Sequence, residues 1–156
     1  MTPTHVLDSS AVLAYLNKEV GWEVTAAILA KPTNACLMYA VNWCEVWHVS
    51  RRTRSEADVD ALIMKLRAIG VGERDDMDSL FWREVAKCRH TVRSAGKTIA
   101  LMDCCAIALA NRCGVPVVTA DHGEFDYVKA SGICQVVFIR VSKSQPLSAA
   151  EFLAAT

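Results

Sequence analysis

Short apolar runs recur along this chain, and segments with helical periodicity separate them. The runs are "THVLD", "ACLMYA", "VGERD", "VPVVTA" and "CQVVFIRV". Between the first three lie two helical segments each. "SSAVLAYLNKE", which Ser9 or Ser10 can cap, and "WEVTAAILAK", which ends at Lys31-Pro32, fill the first gap. "VNWCEVWHVSRR" and "SEADVDALIMKLRAIG" fill the second, with Ser55 and Asp58 set as a variant capping box. "MDSLFWREVAKCRHTVRSAG" and "IALMDCCAIALANRCG" follow, and "PLSAAEFL" carries a last capping box at Ser148 and Glu151. Strands that alternate with helices predict an α/β fold with a mostly parallel sheet covered on both faces, an α/β/α sandwich.

The 156 residues fit one domain, 1–156, and contain no repeat, linker or low-complexity tract. The formal net charge is zero, so any polyanionic partner has to be argued from local patches. Seven cysteines, an odd count with no CxxC pair, read as reduced thiols of a cytoplasmic protein. The start, "MTPTHVLD", lacks the pattern of a signal peptide, and no apolar run approaches the ~18 residues of a membrane span.

Four acids stand where an apolar pattern does not need them. Asp8 follows Val6-Leu7, Glu45 lies inside "VNWCEVW", Asp103 opens the apolar "ALMDCCAIALA", and Asp121 follows Val117-Val118-Thr119. Asp8 and Asp121 both sit at the carboxyl ends of expected strands, where open α/β sheets collect ligands. Converging carboxylates repel one another and are costly to bury unless paired or protonated. A hard divalent cation with oxygen ligands removes both problems. Ala106 and Ala110, one and two turns after Asp103, allow that helix close to the strand ends. Asn42, three residues before Glu45, shares its helical face and could orient it, and the Thr119 hydroxyl could bond a carboxylate. Each acid alone reads equally well as a cap, a turn or an ion-pair partner.

With these motifs in view, the chain resembles the PIN domain family over roughly Val6 to Ile139. The resemblance is carried by "VLDSSAVLAYL", "VNWCEV", "LMDCCAIALA" and "PVVTADHGEFDYV", and length and first motif look most like VapC-type toxins. It implies an endoribonuclease dependent on Mg²⁺ or Mn²⁺, with RNA as substrate, a small antitoxin as partner and a homodimeric state. It also implies Asp8, Glu45, Asp103 and Asp121 as the catalytic, metal-holding set, supported by Ser9, Asn42, Thr119 and Glu124. "TADHGEFD" offers Glu124 and Asp126 as well, with Asp121 favoured as nearest the strand end.

Two basic runs offer phosphate contacts, "HVSRRTR" and "REVAKCRHTVR". The first lies closer in sequence to Glu45, which makes Arg51 and Arg52 the RNA-binding candidates. The helix with Trp22 and Ile28 is a candidate seat for an antitoxin helix. Other functions with the same fold are a housekeeping RNA-processing nuclease and a non-catalytic binding module. A phosphoryl-transfer domain built on Asp8 would need a Lys after "VVTA", and none stands there.

Overall fold

Alternate residues along each short strand face two separate apolar layers, and this sorting sets the architecture. The computed structural model describes residues 2–156. Strands β1 (His5–Leu7), β2 (Cys36–Tyr39), β3 (Val71–Arg74), β4 (Val117–Thr119) and β5 (Val136–Phe138) form one sheet in the order β3-β2-β1-β4-β5. Every pairing in it is parallel. Helices α1 (Ser9–Asn17) and α2 (Trp22–Ala30) join β1 to β2, and α3 (Ala40–Ser50) and α4 (Glu56–Ala68) join β2 to β3. Helices α5 (Ser79–Ser94) and α6 (Leu101–Cys113) lead into β4, and α7 (His122–Ala130) leads into β5.

Val6, Tyr39, Val117 and Val136 point into the layer built with α5, α6 and α7. Leu7, Met38 and Val118, one residue away in each strand, point into the layer with α1 to α4. A side-chain period of two puts neighbours on opposite faces, so strands buried on both faces read as unbroken apolar runs. Helix α6 is apolar almost all round because it lies deep: Cys104 through Ala110 are all buried. The expected α/β/α sandwich is therefore present, with its central sheet wholly parallel.

Three local expectations change. Neither Ser9 nor Ser10 caps α1; the N-cap is Asp8, whose carboxylate accepts the Ser10 N–H. The acid-rich "DHGEFDY", not among the expected helical segments, is the start of α7, with Asp121 at its N-cap position and no side-chain cap bond. "CQVVFIRV" is not one strand. It breaks after β5, and β6 (Arg140–Ser142) pairs antiparallel with β7 (Gln145–Pro146) in a separate ribbon. At that break the α1–α2 turn presses against the chain: a Cβ on Gly21 would stand 2.2 Å from the Ile139 carbonyl oxygen. Only glycine, here at φ +88°, permits that approach. The last capping box is present as expected, with Ser148 and Glu151 opening α8 (Ala149–Ala155). Among the described residues, no helix is long and apolar enough to cross a membrane.

Candidate metal centre

The chain leaves β1 toward β2 on one side, and β4 pairs with β1 on the other. Connections diverge from such a reversal point and open a crevice beyond the carboxyl ends of the two strands. Asp8 follows β1 directly and Thr119 closes β4, so the register of the sheet places both at the mouth of this crevice.

Asp8 is buried, at 2% exposure, and its two oxygens have different surroundings. Oδ2 accepts the Ser10 hydroxyl at 2.6 Å, the Thr119 hydroxyl at 3.0 Å and the Ser10 N–H at 3.3 Å. Oδ1 is covered and has no hydrogen-bond partner. Burial raises the carboxyl's pKa, the hydrogen bonds from Ser10 and Thr119 lower it in part, and the charge of Glu45 raises it again.

Asp103 lies in the first turn of α6, whose N-cap, Ala100, supplies no side-chain bond. Its carboxyl is pushed up to about 10, first by burial, then by its hydrogen bond with Glu124 and by the charges of Asp8, Glu124 and Glu45. Glu124 moves the other way: the bond from Asp103 holds it below the usual carboxylate range, helped by the Ala100 N–H at 2.6 Å. Glu45, half-buried on α3, completes the group through its charge. Acids from four elements, far apart in sequence, thus act on one another, and among the described residues no Lys, Arg or His is in ion-pair contact with them.

Of the acids expected after β4, Glu124 is the one whose hydrogen bond and charge act on Asp103; Asp121 was the favoured expectation. Helix α7 turns Glu124 inward, whereas Asp121 is exposed and its N–H, not its carboxylate, is engaged, with the Thr119 hydroxyl at 3.1 Å. Asp126 pairs with His122 at 2.8 Å on the surface. Asn42 is fully buried but does not orient Glu45. Its amide nitrogen donates to the Ser9 hydroxyl and the Met102 carbonyl, both at 3.3 Å, tying α3 to α1 and α6. Ser9 donates to the Asn42 carbonyl at 3.1 Å rather than to Asp8. Arg51 and Arg52 follow the last residue of α3, with Arg51 about 9 Å along the axis from Glu45 at 1.5 Å per residue. Ile28 is core, at 0% exposure, and cannot receive a partner helix. Lys18 covers the Trp22 ring at 3.5 Å from its centroid.

Two supporting residues escaped sequence analysis. Ser10 bridges the strand ends: its hydroxyl donates to Asp8 and accepts the Ala120 N–H at 2.9 Å. Arg140, only 8% exposed, clasps the β4–α7 turn. Its Nε donates to the Ala120 carbonyl at 3.3 Å and its own carbonyl meets His122 Nε2 at 2.6 Å. Its guanidinium also reaches Glu19 at 3.4 Å. A buried arginine inside a β-branched run was the available signal, since such a charge demands partners.

The residues fit a hard divalent cation. An orphaned carboxylate oxygen, mutual repulsion and an all-oxygen donor set are the conditions such an ion relieves. The side chains are not, however, already arranged as a finished ligand group: among the described residues no three His, Cys, Asp or Glu are so placed. Asp103 and Glu124 are turned to each other, and Asp8 Oδ2 to its hydroxyl donors. Asp8 Oδ1, Asp103, Glu124 and Glu45 are the groups that would hold the ion.

Comparison with known proteins agrees with this architecture. The PIN domain family model matches residues 5–130. The VapBC-1 structure from nontypeable Haemophilus influenzae is similar at TM-score 0.67 and 14% identity, covering 87% of this chain and 98% of that one. VapBC2 from Rickettsia felis, bound to a DNA fragment from its promoter, gives 0.64 and 13%, covering 85% and 96%. The sarcin-ricin loop cleaving toxin VapC20 of Mycobacterium tuberculosis gives 0.61 and 11%, covering 76% and 91%. No curated protein sequence matches. With its parallel five-stranded sheet and a family match over most of its length, the chain belongs to the PIN domain family.

Proposed function

We propose that this protein is a divalent-metal-dependent endoribonuclease, the toxin of a VapBC-type pair. The observation that carries the reading is the meeting of Asp8, Glu45, Asp103 and Glu124 at the β1–β4 crevice without a counter-cation. Bound Mg²⁺ or Mn²⁺ would supply positive charge to a phosphodiester and acidify an attacking water. The chain's own part is to hold oxygens ready. Ser10 and Thr119 fix the Asp8 rotamer, and the Ala100 N–H steadies Glu124. Asp103 is the raised member of this pair and Glu124 the depressed one, so Glu124 is the carboxylate that stands ionised to meet a cation. Asp121, exposed at the rim, remains a secondary candidate for the ion or the substrate.

The structural neighbours include toxin–antitoxin complexes, which supports an antitoxin as the protein partner, and a second copy of the chain is the expected oligomeric partner. All seven cysteines are free thiols, in keeping with a cytoplasmic home. The test is cleavage of single-stranded and structured RNA by the full chain, with Mg²⁺ or Mn²⁺ and then with chelator. Cleavage that requires the ion and disappears in Asp8→Asn is expected. Equal cleavage in chelator, or full activity in that variant, would overturn the assignment. Light scattering of the chain alone and with a co-expressed upstream-encoded protein reads out both partners.

A further inference from the structure

We infer that a basic groove along α5 is the track on which single-stranded RNA reaches the acidic crevice, an inference that rests on the nuclease reading above. Residues 83–97 hold five of the chain's 17 lysines and arginines and only one of its 17 acids, in a protein with zero net charge. That acid, Glu84, is neutralised by Arg112 at 2.7 Å. Trp82, Ala86, Arg89 and Arg93 recur at four, three and four residues, so one helical face carries them all, and together with Leu101 they line a groove.

The groove combines what a single strand requires. Arg89 and Arg93 present cations for phosphates, and Trp82, 39% exposed, presents an indole face for base stacking. Arg89 is not a freely solvated side chain: its Nε is covered and lacks any acceptor within the protein. The groove also leads somewhere. Leu101, 44% exposed, lies two residues before Asp103, and the adjacent Ala100 N–H holds Glu124. Charge decides the occupant: an acidic or basic-neutral protein surface would not exploit the aromatic together with a polyanion track.

The test is fluorescence anisotropy with a short labelled single-stranded RNA in chelator, so that binding is read without cleavage. The full chain is compared with Arg89→Gln plus Arg93→Gln, which keeps the aliphatic stems and helix propensity, and with Trp82→Ala. Loss of affinity of about tenfold or more is expected in each. Only the double variant should flatten the salt dependence, by about 1.4 in log–log slope at ~0.7 per lost phosphate contact. Unchanged affinity and slope in the double variant would overturn the track. So would a dimer of the full chain, seen by light scattering, that these substitutions split to monomers with a parallel loss of RNA binding, because the face would then join two copies. RNA that binds with the expected slope change but is never cut with Mn²⁺ would sink the nuclease reading while leaving the track. Cutting with an unchanged KM in both variants would do the reverse.

Discussion

Helix α6 has acids at both of its ends, and the fold treats them in opposite ways. Near its last turn, Arg112 reaches Glu84 at 2.7 Å and Asp78 at 3.1 Å. Asp78 also caps α5 through the Phe81 N–H at 2.6 Å, and that bond, with the Arg112 donor, holds its carboxyl below the ordinary range. At the first turn, Asp103 has burial and other acids for company, and its carboxyl is driven up. One end is a local arrangement that stabilises the fold as it stands. The other is under electrostatic strain that an added cation relieves, and such perturbed groups cluster where chemistry is done.

The sharpest way to break this contrast is to neutralise each acid in turn. Asp103→Asn should cut RNA cleavage by on the order of a thousandfold, as losing a central electrostatic group does. It should raise the melting temperature of the metal-free protein near neutral pH, because Asn, unlike a carboxyl raised to about 10, takes up no proton on folding. Asp78→Ala should leave cleavage within about twofold while lowering the melting temperature, because Ala cannot accept the Phe81 N–H that caps α5. Cleavage assays and thermal melts on both variants check this; equal activity losses would erase the distinction.

Glu124→Gln against Asp121→Asn sharpens the site itself. Glu124→Gln should weaken Mn²⁺ binding by roughly 10- to 100-fold in calorimetry, and Asp121→Asn by less. The reverse order would return Asp121 to the place first expected of it.

The two ends of α6 should also respond to pH with opposite signs. The raised Asp103 carboxyl favours the folded state when protonated. Its contribution is full below the unfolded value near 3.8 and is lost as pH rises toward about 10. The depressed Asp78 carboxyl contributes above its unfolded value and loses that contribution as pH falls through the folded one. Metal binding must displace the proton held by the raised Asp103 carboxyl, so the melting-temperature gain from Mg²⁺ or Mn²⁺ should be larger at pH 8 than at pH 5. A gain independent of pH would mean that the ion binds elsewhere. The smallest expected effect is on the support of Asp8: Thr119→Val should cost about 1 kcal/mol and weaken Mn²⁺ by about tenfold, through loss of the bond to Asp8 and of the one accepted from the Asp121 N–H.

Asp8, Glu45 and Asp103 were legible because each is a carboxylate inside an apolar pattern, where a charge has no local reason to stand. Thr119 was legible because it ends a β-branched run. The choice between Asp121 and Glu124 was not. It depends on where α7 begins, and the start of that helix lacks a side-chain cap bond and carries a glycine at its second residue, so no local signal marked it. Ser9 and Ser10 are equivalent as neighbours in sequence; which hydroxyl faces Asp8 depends on the rotation of α1 against β4. Arg140 lies twenty residues from the carbonyl it holds, so no spacing could announce that contact.

Periodicity by itself determined the sandwich, since strands buried on both faces and helices buried on one can satisfy their apolar surfaces in few other ways. It also led to the expectation of acids at one edge of the sheet, because Asp8 and Asp121 come after strands that a parallel topology points the same way. Only the tertiary structure decided which acid completes the group, which hydroxyls brace it and which basic run lies beside it. Those outcomes turn on helix rotation and on contacts between distant segments, and the energies that select them are shared across the packed layers rather than written in any one stretch of chain.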